Sequence, residues 1–331
     1  MSVRSFRALE VDEDGDGYAV RLVERLDADL PDGDVVVDVR WSDLNYKDGL
    51  IMSGRFGLVR RFPMTAGIDL VGTVVESGVA EVPVGRLVTV NGNGLGTDHP
   101  GGLAERARVP HAWVTPVPEP IDALSAAAIG TAGYTAALAV LALRGNGVEP
   151  GSGPVLVTGA AGGAGSIAVL LLAALGHEVV ASTGRRRMEE ESLLRLGASS
   201  VVDRLELLGD GELGRASWAG AIDTLGSRAL ATVLARTRYG GTVAAMGMAM
   251  GVDLPTSVVP FISRAVTLAG IDSVHAPPEL RRDAWQLLAD HLDLAALRGI
   301  TEVVPLEQAA ERSRAVMAGT VRGRLVVDVR A

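Results

Sequence analysis

Val155-Leu-Val-Thr-Gly-Ala-Ala-Gly-Gly-Ala-Gly-Ser-Ile-Ala168 is the stretch that decides the fold. A short apolar run ends in clustered glycines and an apolar run follows, so it reads as a buried strand, a tight turn and a helix. Within it, Gly163-x-Gly165-x-x-Ala168 satisfies the dinucleotide-binding pattern with alanine in last place. Glycines there permit the turn and let a pyrophosphate approach the N–H groups at the helix start, where the helix dipole favours negative charge. Gly162, Gly163, Ala164 and Gly165 are the residues expected to form that cradle.

Outward from the turn, apolar runs alternate in type. Helices are expected at 126–144, 165–175, 189–196 and 229–236, and strands at 155–158, 178–182, 200–202, 220–223, 241–246 and 266–272. That order predicts an α/β domain, a doubly wound parallel sheet of the Rossmann type over residues 123–272. The N-terminal part carries short β-rich runs at 34–41, 72–75 and 86–90, broken by Gly, Pro and Asp, and reads as a compact β-barrel-like unit. The C-terminal part offers helices at 279–291 and 306–317 and a strand at 324–329, expected to fold back on the first unit. Two domains, 1–122 with 273–331 and 123–272, suit a chain of 331 residues.

Composition removes whole classes of chemistry. The chain has no cysteine, which excludes disulfides, thiolate zinc ligands, iron–sulfur clusters and a cysteine nucleophile. A net charge of −9 argues against nucleic acid as the main partner, since phosphate backbones are held by clustered Lys and Arg. The uncharged stretches 125–143 and 150–177 read as buried elements rather than membrane spans, the second being punctuated by glycines. No apolar signal-like segment opens the sequence, and the expected location is cytoplasmic. Asp12-Glu-Asp-Gly-Asp-Gly17 imitates the start of a calcium loop, yet Val23 stands where the bidentate Glu belongs, so a polar hairpin turn is expected. His99, His111, His177, His275 and His291 show no ligand spacing, and no metal site is assigned.

About twenty residues past the glycine turn, an NAD enzyme places Asp or Glu on the ribose hydroxyls. Here the second strand ends in Ser182, Thr183, Gly184 and Arg185, with Arg186 and Arg187 following. An acid that would repel a 2′-phosphate is missing and guanidinium groups that bind one are present, with Arg204 after the third strand able to approach the same end. The cofactor expected is NADPH.

With these residues in view, the chain resembles the quinone oxidoreductase-like branch of the medium-chain dehydrogenase/reductase superfamily, and within it the acrylyl-CoA reductase subfamily. The resemblance runs almost end to end. It is carried by Trp41-Ser-Asp-Leu-Asn-Tyr-Lys-Asp48, Phe62-Pro-Met-Thr-Ala-Gly-Ile-Asp69, Gly101-Gly-Leu-Ala-Glu-Arg-Ala-Arg108, Ile129-Gly-Thr-Ala-Gly-Tyr-Thr135, Leu254-Pro-Thr-Ser-Val-Val-Pro-Phe261 and Gly270-Ile-Asp-Ser273. It implies a GroES-like β-barrel catalytic domain built from both chain ends, a Rossmann cofactor domain between them, an active site in the cleft, and a homodimer. Zinc-dependent relatives carry Gly-His-Glu where this chain has Gly67-Ile68-Asp69, so the Lewis acid that polarises an alcohol is not expected.

Without metal, hydride transfer is easiest to an acceptor whose charge spreads onto a distant carbonyl oxygen held by fixed donors. The resemblance implies reduction of the carbon–carbon double bond of an α,β-unsaturated acyl thioester on CoA or a carrier protein, with a quinone or enone as the alternative acceptor. Tyr46 is the candidate for contact with the cofactor and the developing oxyanion, with Asn45 and Asp48 shaping the same pocket. Thr131 and Thr135 are expected near the nicotinamide ribose, Gly247 and Met248 on the nicotinamide side, and Ser273 as a further cofactor contact. Arg55, Arg60 and Arg61 are candidates for the phosphates of a CoA substrate. Phe56 stands where related enoyl reductases often carry a tyrosine, which leaves the proton donor unassigned. Lys47 has donor chemistry too, but most lysines are solvated, and it stands outside the candidate set.

Overall fold

A computed structural model describes residues 4–15, 17–209 and 213–331. Of the acidic hairpin read above, Asp16 lies outside the described residues; Ser5–Asp14 and Gly17–Leu26 on either side pair as antiparallel strands.

The chain divides into two compact units. One comprises Met1–Thr131, Ser273–Ala276 and Arg298–Ala331, and the other Ala132–Asp272 and Pro277–Leu297.

The first unit is a strongly curled β-structure centred on the strand Val35–Asp43. One edge of that strand pairs antiparallel with Asp69–Ser77, while its other edge takes Arg106–Val109 at one end and Arg324–Asp328 at the other. Thr301–Pro305 extends the sheet beside Arg324–Asp328, and Leu87–Asn91 and Thr115–Pro116 extend it beyond Asp69–Ser77. Register shifts between Val36 and Val37 and between Val39 and Trp41 bend the central strand. Strand periodicity then sends Val35, Val37 and Val39 into a shared core with Leu70, Val88, Val90, Leu103 and Val327.

The second unit is a parallel sheet in the order Ser200–Asp203, Val179–Thr183, Val155–Val157, Trp218–Asp223, Thr237–Ala245, Thr267–Gly270. The strand read first from the sequence sits at the point where the order reverses, which is where doubly wound sheets bind ligands. Val155, Leu156 and Val157 are wholly buried, and removing a side chain such as Leu156 from water contributes about 2 kcal/mol. Covered on both faces, such strands read as unbroken apolar runs.

The C-terminal part does not return as one piece. Thr301–Pro305 and Arg324–Asp328 join the first unit, but the helix Pro278–His291, expected there, belongs to the second. The reason is its apolar face: Ala284, Trp285, Leu287 and Leu288 are buried, the helix packs on Gly163–Ala174, and Arg281 lies over the ring of Tyr134 at 4.7 Å. The first break also falls later than the expected residue 122, at Thr131, inside the helical segment Ala123–Gly145 just after a kink at Gly130. That segment is long and apolar enough to cross a membrane by composition alone, and its most apolar window is 83% buried.

Candidate functional site

In the first unit, segments distant in sequence meet through buried polar side chains. Asn45 precedes the helix Tyr46–Met52, and its amide nitrogen donates to Asp43 Oδ1 and to Asp69 Oδ2, each at 2.7 Å. Arg324, at the start of a late strand, donates from Nε to the Ala128 carbonyl at 2.6 Å, from Nη1 to Asn45 Oδ1 at 3.3 Å, and from Nη2 to Asp43. Asp69 accepts from the Thr131 N–H and hydroxyl at 2.8 and 2.6 Å, and from Asn91 at 2.8 Å. The kink before Thr131 requires glycine: Gly130 has φ 47°, and a Cβ on it would overlap Asp43.

Asp48, in the first turn of the same helix, is fully buried. Its Oδ2 accepts the Asn45 N–H at 2.8 Å and its Oδ1 the Ile68 N–H at 2.9 Å, fastening the helix start to the next loop. Burial pushes its pKa up to about 7, against the lowering effect of those two donors. Burial, and then the neighbouring Asp69, also push Asp43 well above the usual carboxylate range, against the pull of Arg324.

The outcome for the expected catalytic trio is a division of labour. Asn45 and Asp48 are buried and fully engaged, so they act as connectors. Tyr46 alone presents its side chain: it is 38% exposed, too open for a purely structural core tyrosine, and its hydroxyl has no hydrogen bond among the described residues. Thr131, expected at the cofactor, is anchored on Asp69. Ser273 belongs to the first unit, in a segment whose Val274 backbone lies beside Gly92. Arg60 is ion-paired with Asp98 at 3.3 Å, whereas Arg55 and Arg61 are exposed without an ion pair among the described residues.

In the second unit the cradle is made of backbone. Gly159, with φ 59°, turns the chain out of the strand, and Gly162 precedes the helix Gly163–Ala174. The first N–H groups of a helix have no partner within it, which leaves Gly163, Ala164 and Gly165 to present donors. Gly165 packs so tightly that a Cβ there would overlap the Gly159 carbonyl oxygen. The turn itself falls on Gly159, four residues before the pattern used to find it.

The Ser182 hydroxyl is buried with no hydrogen-bond partner, and the Thr183 hydroxyl accepts the Arg185 N–H at 3.2 Å. Arg204 lies against Gly184, where an added Cβ would stand 2.9 Å from the guanidinium carbon, and it forms no ion pair among the described residues. Arg185 shares its charge with Glu189 at 3.7 Å, so Arg204 is the better placed cation. Gly247 packs on the Thr224 backbone, Met248 is half exposed, and Thr135 is buried in its helix. A glycine-lined helix start, an orphaned hydroxyl and a free guanidinium fit a phosphorylated dinucleotide.

Sequence reading did not place Asp43, Asp69, Asn91 or Arg324 in the site. One signal was available: Arg324 precedes the apolar run Leu325-Val-Val327, and a charge in a buried strand demands a partner.

Family models match both parts of the chain, "Alcohol dehydrogenase GroES-like domain" over residues 31–119 and "Zinc-binding dehydrogenase" over residues 163–290. A zinc ion does not fit the donors present. The chain lacks cysteine, the described residues hold no group of three or more His, Cys, Asp or Glu suited to a metal, and the Asp48 and Asp69 oxygens are occupied by N–H and O–H donors.

The chain is 47% identical, over 96% of its length and 98% of the relative's, to the probable acrylyl-CoA reductase AcuI of Escherichia coli. It is 39% identical to the putative quinone oxidoreductase YhfP of Bacillus subtilis, over 98% of this chain and 99% of that one. The crystal structure of Escherichia coli YhdH with bound NADPH superposes with a TM-score of 0.95 at 45% identity, covering 98% of this chain and 100% of that one.

Proposed function

The chain belongs to the medium-chain dehydrogenase/reductase superfamily, in its quinone oxidoreductase-like branch among the acrylyl-CoA reductases, and from that premise we propose that it reduces the carbon–carbon double bond of an α,β-unsaturated acyl thioester with NADPH and without metal. The observation that carries this reading is the 47% identity, over 96% of the chain, with a probable acrylyl-CoA reductase. The backbone cradle at Gly162–Gly165 would hold the pyrophosphate, and Ser182, Gly184 and Arg204 the 2′-phosphate end. NADPH supplies the hydride.

The chain's own residues handle charge and position. Reduction moves the alkene π pair toward the thioester carbonyl, and the oxygen that gains charge needs a donor fixed in advance. The Tyr46 hydroxyl has no partner among the described residues, and the bonds of Asn45 and Asp48 fix the helix that carries it. Such fixing spares the reaction the cost of reorganising the donor.

The test is NADPH oxidation by the purified protein over acrylyl-CoA, crotonyl-CoA, enones and quinones, repeated with NADH and after incubation with a strong chelator. Acrylyl-CoA is expected to lead every quinone in kcat/KM by at least about tenfold, roughly 1.4 kcal/mol in the barrier. NADPH is expected to lead NADH by a similar factor, with chelation leaving rates unchanged. A quinone in first place, or a rate abolished by the chelator, overturns the reading.

A further inference from the structure

Among the 31 Lys and Arg residues of the chain, Lys47 is the single lysine. Every other basic position is arginine, including those in surface ion pairs where the two cations serve about equally well. A position that keeps lysine against that bias calls for something arginine lacks, namely a compact charge on an amine that can give up its proton.

Lys47 is also poorly explained by stability. It is the second residue of the helix Tyr46–Met52, beside the positive end of the helix dipole, where a cation is unfavourable. Residues 48–52 of that helix are buried, so Tyr46 and Lys47 are the part of it that keeps contact with solvent. The ammonium makes no hydrogen bond or ion pair among the described residues. Carboxylates near in sequence do not claim it: Asp43 is bound by Arg324 and Asn45, and Asp48 by two backbone N–H groups. The same connectors that fix Tyr46 therefore fix Lys47 one residue on, with its donor free.

We propose that Lys47 is the acid that protonates the α-carbon of the substrate, an assignment that rests on the reductase reading above. Addition of hydride from NADPH at the β-carbon leaves the π pair delocalised over the α-carbon and the thioester oxygen. In the second step that pair forms the Cα–H bond while an Nζ–H bond of Lys47 breaks. The neutral amine then takes a proton from water, which restores the ammonium. Atoms and electrons balance with NADPH, the unsaturated thioester and water as the reactants.

The experiment compares wild type, K47M and K47R with acrylyl-CoA and NADPH in heavy water, reading kcat, NADPH affinity by fluorescence titration, and the configuration of the deuterium delivered to the α-carbon. Wild-type turnover comes first: if acrylyl-CoA is not reduced, the reductase reading fails and the acid assignment falls with it. Given turnover, kcat of K47M is expected to drop about 100-fold or more, the range of general acid catalysis. NADPH affinity should stay within about threefold, α-carbon stereoselectivity should be lost, and K47R should fail to restore the rate because a guanidinium holds its proton. A K47M kcat within about threefold of wild type, full rescue by K47R, or unchanged facial selectivity in K47M overturns the assignment. If K47M does not fold, K47R carries the same decision, since a charge-only role predicts its full activity.

Discussion

The carboxylate network of the first unit and the glycine cradle of the second solve opposite problems. In the network, position is fixed by side-chain charge: Arg324, Asp43, Asn45 and Asp69 are held 1–9% exposed by bonds to one another. In the cradle, position is fixed by the absence of side chains, because Gly165 must approach Gly159 more closely than a Cβ permits. The network should fail when a partner is removed, and the cradle when an atom is added.

Removing a partner has the larger expected effect. R324M leaves Asp43, the Asn45 oxygen and the Ala128 carbonyl without their donor in a buried setting, and is expected to cost about 3–5 kcal/mol in urea denaturation. A loss below about 1 kcal/mol would mean that packing, not the network, holds the start of the Tyr46–Met52 helix.

Adding an atom comes next. G165A places a methyl group against the Gly159 carbonyl oxygen and is expected to weaken NADPH binding at least about 100-fold by fluorescence titration, about 2.7 kcal/mol. Unchanged affinity would show that the helix start does not need its close approach to the strand.

The effect smallest at any one step is a slope with pH. Asp48 titrates near 7 in the folded protein, above its unfolded value of about 3.9, so its contribution to stability is fully present below about pH 4 and is lost as pH rises to about 7. The stability difference between wild type and D48N should therefore fall with rising pH across that window, by at most about 1.4 kcal/mol per pH unit, and be flat above it. A difference independent of pH would show that the two N–H donors, rather than burial, decide the protonation of this carboxyl.

The doubly wound sheet, the glycine-rich helix start at Gly162–Gly165 and the approach of Arg204 to Gly184 were legible in the sequence. Their causes are local: strand, turn and helix follow one another within a few residues, and period and glycine spacing report them directly. The helix Tyr46–Met52 begins within a quoted motif without being read as a helix, because seven residues carry too little periodicity.

What the sequence could not determine was which polar residues meet. Asp43, Asp69, Thr131 and Arg324 come from four separate stretches, and only the pairing of Val35–Asp43 with Arg324–Asp328 and Asp69–Ser77, with the kink at Gly130, brings them together. The tertiary structure likewise assigned the helix Pro278–His291 to the second unit, since the apolar face it buries has no mark in the sequence of the surface that receives it. Local spacing specifies backbone conformation, whereas the free energy of a buried charge depends on partners that chain order alone does not name.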